Sequence, residues 1–352
     1  MTDKQFRGKV TWFSFAFSLL VIWVHSYNAE LFLGMSDQMA AVYRAEHFLG
    51  DVLGQLAVPG FFMISGYLFY RDFEWSKLKG KWKRRIKSVL VPFILWNFLY
   101  YLGYVIASRL PWMTEIVGKG VVPFSLSAAV DAVLHYTYNY VFWYLRQLIL
   151  LILLAPALYP ILRRRVSRVA FLAFLWGLMA ADIRLPLVNI DALIYYSAAA
   201  SLALKAALPG REGKAVRAPA AERGWSRRGA FLGAALLSVS AAGYVLGLRA
   251  AFVPGFVLCR LCAVAGLWLI VPGEKLPQPG EFVRHNFFLY AIHFAVVRLI
   301  NKTAARLFHL SGWAPFVLFF LMPVAAAAVS FVLGKFLRRF APRSWKLLNG
   351  GR

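Results

Sequence analysis

Two histidines stand where a membrane-crossing chain has least reason to carry them. His25 closes the apolar run LLVIWVHSYN, and His293 lies inside HNFFLYAIHFAVVRLIN. A neutral imidazole takes up a proton near neutral pH and can return it, so either residue suits general-base work on a hydroxyl. An ionisable side chain in hydrocarbon is costly and normally faces the protein interior. At about 100° per residue, Thr11, Ser14, Ser18, His25 and Asn28 share one helical face, with Phe, Leu, Ile and Trp opposite. Asn286, Tyr290, His293 and Asn301 share another. The plain alternative is that Ser and Thr join helices while His25 caps a neighbouring carbonyl. Spacing does not show whether the two histidines meet; together they would build a polar cavity.

Other candidates carry weaker chemistry. In NYVFWYLRQ, Trp143, Arg146 and Gln147 fall on one face, where Arg146 can bind an anionic or carbonyl group or snorkel to headgroups. Cys259 and Cys262 are the only cysteines and form C-x-x-C around Arg260 in an apolar run, a pattern read as helix packing. His47 and Asp51 lie on the expected outer side, and Asp131 and His135 sit one turn apart as a solvated pair. Asp51, Asp182 and Asp191 receive no role. H-E-x-x-H, G-x-S-x-G, Walker A and dinucleotide fingerprints are absent, and no metal site is expected.

The elements that must position these residues are membrane helices. Of 352 residues 61% are hydrophobic, and apolar runs long enough for about 30 Å of hydrocarbon recur about ten times. They fall near 10–28, 52–70, 88–108, 141–162, 169–187, 190–208, 229–248, 251–272, 286–301 and 314–334. The expected fold is an all-α polytopic membrane protein with both termini cytoplasmic. Under that topology the inner segments hold 30 of the 40 Lys and Arg residues. The net charge of +25 therefore marks topology and headgroup contact with membrane lipids, and no nucleic-acid partner is expected. One domain over 1–352 is expected: helices one to six over about 10–208, a cytoplasmic linker over about 209–228, helices seven to ten over about 229–334, and a basic tail over 335–352. FSLSAAVDAVLHYTYNY reads as a short interfacial helix. The first helix runs on without a small-residue cleavage site and is expected to be retained.

The second apolar run, VPGFFMISGYLFYRDF, leads into a basic loop and then KRRIKSVLVPFILWN. This arrangement resembles the acyltransferase 3 family of integral-membrane O-acyltransferases, and the likeness covers essentially the whole chain. The family's first helix ends near a histidine, here His25. Its F-F-x-x-S-G-[FY] helix is matched by Phe61, Phe62, Ser65, Gly66 and Tyr67, its Arg-rich loop by Arg84 and Arg85, and its third-helix proline by Pro92. FWYLRQLILLILLAPAL and FFLYAIHFAVV match its later features. One position departs: many members carry an arginine eleven residues before the histidine, and here that residue is Ser14. Either Arg71, Arg146 or a loop arginine replaces that charge, or the chain belongs to a branch with different chemistry.

The resemblance implies transfer of an acyl group, most often acetyl from acetyl-CoA, to a hydroxyl of a cell-surface glycan or lipid-linked sugar. The acyl-CoA is a co-substrate, with no permanently bound cofactor, and the setting implied is a bacterial plasma membrane. His25 is then the candidate base. Ser65, Gly66, Arg71, Arg84, Arg85, Trp143, Arg146, Tyr290 and His293 become candidates for binding acyl-CoA or substrate. The Lys/Arg-dense inner loop suits polyanionic CoA. Ser65 and Gly66, in a helix loosened by Pro59, allow the close approach a donor tunnel needs. Two other readings fit the polar stripes: a transporter or flippase-like protein, disfavoured because no internal repeat is evident, and a non-catalytic relative.

Sixteen residues of helix separate Lys9 from His25, about 24 Å at 1.5 Å per residue. The candidate base therefore lies toward the outer face. In a cysteine-accessibility map, position 25 should be labelled from outside. Labelling from the cytoplasm alone would contradict this topology.

Overall fold

The computed structural model describes residues 1–206, 220–250 and 252–351, all helix and connecting segments with no strand. In chain order come α1 (Asp3–Val24), α2 (Ala29–Leu33), α3 (Asp37–His47), α4 (Ala57–Tyr70), α5 (Leu78–Arg85) and α6 (Val91–Ala107). Next are α7 (Pro111–Val117), α8 (Leu126–Leu134), α9 (Trp143–Leu153), α10 (Ala155–Arg163), α11 (Arg165–Ala180) and α12 (Ile190–Ala206). The last six are α13 (Arg227–Ala250), α14 (Val253–Ile270), α15 (Glu281–Arg284), α16 (Asn286–Leu307), α17 (Ala314–Phe340) and α18 (Pro342–Leu348).

Among the described residues seven helical runs are long and apolar enough to cross a membrane, eight if the bent pair α9–α10 makes one span. Two stretches expected as spans, 169–187 and 190–208, fall on α11 and α12, helices of 16 and 17 residues. Residues 209–219 of the expected linker lie outside the described residues; its remainder holds a single 3₁₀ turn, Ala220–Glu222, and the start of α13. The short helix expected in FSLSAAVDAVLHYTYNY is α8, whose first turn is capped by Ser125 accepting from the Ala128 N–H.

The described chain forms two compact units, each assembled from three stretches of sequence. One takes Met1–Phe17, Leu56–Trp82 and Gln147–Val283, the other Ser18–Gln55, Lys83–Arg146 and Arg284–Arg352. Within the first unit α4 packs along α12, and α13 along α14. Small residues set these approaches. A Cβ on Gly66 would collide with the Tyr196 carbonyl, and one on Gly233 would stand 2.8 Å from the Gly266 carbonyl oxygen. Without a hydrophobic drive between lipid-exposed helices, such close backbone packing holds them together.

The 66° bend between α9 and α10 has a local cause. Pro156 has no N–H to give the Ile152 carbonyl one turn earlier, and its ring crowds that turn. The orphaned carbonyl accepts instead from Trp82 Nε1 at 3.0 Å, and Tyr70 Oη donates to the Ala155 carbonyl at 3.3 Å.

In the second unit α16 packs on α17, and the Trp96 indole of α6 donates to the Leu348 carbonyl at 2.9 Å. The basic C-terminal segment is thus helical and anchored through α18.

Gly66→Ala should lower the midpoint of thermal unfolding, because overpacking against a backbone carbonyl costs roughly 1–3 kcal/mol. Gly177→Ala on α11, where an added Cβ meets nothing within 4 Å, should leave the midpoint unchanged or raise it. Equal effects of the two substitutions would refute the close-approach reading.

Candidate functional site

The first helix stops one residue before the candidate base. The sequence places His25 and Asn28 on a continuous helical stripe. In the structure α1 ends at Val24, and 25–28 form a short irregular break before α2. The break is held from elsewhere in the same unit. The Glu46 carboxyl oxygens accept the Asn28 N–H at 3.1 and 3.3 Å and the Ala29 N–H at 3.2 Å. Asn301 donates to the Ser26 carbonyl at 3.2 Å, and Asn28 Nδ2 donates to Asn301 Oδ1 at 3.4 Å. Glu46 is fully buried, so these bonds form away from water. Sequence reasoning missed it: Glu46 stands beside His47 in a segment read as an outer loop. Its segment, SDQMAAVYRAEHFLGD, mixes charged and apolar residues, so the sequence carried no signal that set Glu46 apart.

Freed from the helix, His25 is half-buried and its Nδ1 lies 3.0 Å from Tyr140 Oη. Its ring centroid is 5.4 Å from that of His293, and Phe294 lies edge-on to both His25 and Tyr140. The two histidines that spacing could not join are therefore neighbours. His293 is fully buried. Its Nδ1 bonds the Tyr290 carbonyl, which can only accept, at 2.5 Å, so the proton sits on Nδ1. Its Nε2 is left with a lone pair, buried and without a hydrogen-bond partner among the described residues. Tyr290 is fixed in turn. Its hydroxyl donates to the Val141 carbonyl at 2.9 Å, and its ring stacks on Phe142 at 5.6 Å. Asn286, Tyr290, His293 and Asn301 are all buried, as their shared face on α16 implies.

The remaining candidates are dispersed. Trp143 and Arg146 occupy the first turn of α9 and are half-buried. Gln147 beside them is a bracket for the connection before α12, donating to the Leu187 carbonyl at 3.2 Å and accepting from the Asn189 N–H at 3.1 Å. Arg84 is exposed and Arg85 half-buried on α5. Ser65, Gly66 and Arg71 belong to the other unit. There Arg71 is engaged by carboxylates: Nη1 to Asp3 at 2.8 Å, Nε and Nη2 to Glu222 at 2.9 and 3.0 Å. Tyr67 Oη donates to Glu222 as well, at 2.7 Å. Ser14 donates to the Val10 carbonyl at 2.8 Å within α1.

Cys259 and Cys262 are free thiols. His47 and Asp51 pair at 2.8 Å, and Tyr27 donates to the same carboxyl group at 2.9 Å. Asp131 pairs with His135 at 2.8 Å on an exposed surface. The Thr137 hydroxyl and His135 hold its carboxyl below the usual carboxylate range. Asp182 is exposed, 4.0 Å from Arg184. No group of three or more His, Cys, Asp or Glu is placed to hold a metal among the described residues.

Two histidines thus meet inside a polytopic helical protein, and comparison with known families assigns the chain to a class. The Acyl_transf_3 family model, described as an acyltransferase domain, matches residues 15–335, and the chain belongs to that family. Among individual proteins it is similar to the succinoglycan biosynthesis protein ExoH of Rhizobium meliloti (strain 1021). The two are 28% identical over 343 residues, covering 87% of this chain and 81% of the relative. No solved structure matches.

Removing Glu46 leaves two buried N–H groups without an acceptor, at roughly 1–3 kcal/mol for each such group. Glu46→Ala should unfold at a lower temperature than wild type, and Glu46→Gln, which keeps an acceptor oxygen, should recover part of the loss. An unchanged midpoint for Glu46→Ala would show that the break does not depend on this carboxyl group.

Proposed function

We propose that this protein is a membrane O-acyltransferase that moves acetyl from cytoplasmic acetyl-CoA to a hydroxyl of a cell-surface glycan or lipid-linked sugar, with His25 as general base. Membership of the acyltransferase family supports the reaction class, and the similar protein's role in succinoglycan biosynthesis supports a polysaccharide acceptor. The observation that carries the assignment to His25 is its position at the α1 break. There it is half-exposed, tethered through Nδ1 to Tyr140 and packed beside His293.

The chemistry follows from that tether. When Nδ1–H donates to Tyr140 Oη, the lone pair lies on Nε2, the tautomer a base requires. Nε2 removes the acceptor hydroxyl proton as that oxygen attacks the thioester carbonyl. The carbon–sulfur bond then breaks, and the imidazolium returns the proton to the departing thiolate. The products are an ester and free CoA, with the base regenerated. General-base assistance of this kind is worth about 10²–10⁴-fold in rate. The setting proposed is a bacterial plasma membrane. Arg84, Arg85 and the neighbouring lysines of the basic loop offer the polyanionic donor a place to dock.

Cells lacking the gene should lose one acetyl-sized mass increment from an envelope glycan. Wild type should restore it, and His25→Ala should not. Tyr140→Phe, which leaves Nδ1 without its partner, should lower kcat by about tenfold with little change in KM. Restoration by His25→Ala would refute the assignment, and an unshifted glycan mass would refute the acceptor class.

A further inference from the structure

Three arginines lie inside apolar helices: Arg146, Arg260 and Arg298. Arg260 acts on Asp191 and on the Tyr195 hydroxyl. Arg298, midway along α16, has neither a carboxylate nor a hydrogen-bond acceptor among the described residues. Its guanidinium carbon lies 5.5 Å from the Phe294 ring centroid. An unpaired cation held in an apolar span is expensive and marks a ligand or ion site.

Arg298 opens onto a cavity of about 320 Å³ whose walls include Trp96, Tyr100, Tyr104, Met113 and Phe294. The volume suits a small ligand, and the walls are aromatic with few polar groups. Two of those groups are placed to choose a ligand, the guanidinium and the Tyr104 hydroxyl, which also has no partner among the described residues. The hydroxyl of Tyr100 is already committed to the Ala291 carbonyl at 2.9 Å. Phe294 is shared with the histidine pair, edge-on to His25 at 6.1 Å and to Tyr140 at 4.6 Å. The Arg298 charge also acts on the hydroxyls of Tyr104 and Tyr140. One wall thus divides a cationic aromatic cavity from the candidate base, all within one unit.

We propose that this cavity is the acceptor subsite and that it selects a sugar residue bearing a carboxylate, gripped by Arg298 while its ring lies against the aromatic wall. The proposal rests on the acyltransferase reading for the word acceptor, but the binding it describes does not. A planar guanidinium fork matches a carboxylate with two parallel hydrogen bonds. Aromatic faces accept the apolar C–H face of a sugar ring. A carboxylated sugar seated there would hold the next sugar of the same chain past the edge of Phe294, toward His25.

The test is equilibrium binding to the full-length protein in nanodiscs, read by calorimetry, with two disaccharides that differ only in the C6 group: cellobiose and cellobiouronic acid. Wild type should bind the acid about tenfold or more tighter than the neutral sugar. Arg298→Gln should bind both at the neutral sugar's affinity, and Arg298→Lys, which keeps the charge without the fork, should retain part of the preference. Equal binding of the two sugars by wild type, or a preference that survives Arg298→Gln, would overturn the proposal. The wild-type comparison stands even if Arg298→Gln fails to fold. Because binding is read without turnover, a retained acid preference with no acyl transfer would refute the proposed function and leave the subsite standing. Transfer without that preference would do the reverse.

Discussion

A buried carboxyl group that accepts two backbone N–H groups lets the first helix end where it does. After Val24 the backbone bonds itself only through the His25 and Ser26 N–H groups, to the Ile22 and Trp23 carbonyls, and in an apolar environment the N–H groups that follow need partners from elsewhere. Glu46 supplies those partners to Asn28 and Ala29, and Asn301 supplies another to the Ser26 carbonyl. With the break thus stabilised, His25 leaves the helical surface and meets Tyr140 and His293. A continuous helix through residue 28 would keep it on the surface of α1.

A second polar chain does the same for His293. The Val141 carbonyl holds the Tyr290 hydroxyl, and the Tyr290 carbonyl holds His293 Nδ1. Each bond removes a choice, first of rotamer and then of tautomer, until a single buried nitrogen keeps an unshared lone pair. A neighbour fixed in this way leaves the proposed base, His25, with little reorganisation to undergo. Elsewhere the fold uses backbone proximity, as at Gly66 and Gly233, and substitute donors, as where Trp82 takes the carbonyl that Pro156 abandons.

Much of this was legible in the residues. Apolar length gave the helical membrane class, and the shared face of Asn286, Tyr290, His293 and Asn301 correctly announced a buried polar stripe. The SGY helix and the Arg-rich loop pointed to the family. The stripe on α1 was legible only as far as Ser18, because a 100° repeat assumes a helix that continues. Its end depends on Glu46, a residue close in sequence but brought in by tertiary folding. Pairing of His25 with His293 lies beyond any local periodicity, since 268 positions separate them. Arg71 reads as a free cation for an anionic donor, whereas its carboxylate partners Asp3 and Glu222 lie far away along the chain.

The central claim is the proposal that His25 is the general base and that the neighbouring His293 positions it. Release of free thiol from acetyl-CoA by the purified protein with its glycan acceptor tests it most directly, comparing wild type, His25→Ala, His293→Ala and the double variant. The account predicts that each single change slows release by about a hundredfold or more, and that the double variant is little slower than the worse single one, as for residues acting together. Wild-type turnover in His25→Ala, or single effects that multiply fully in the double variant, would contradict it.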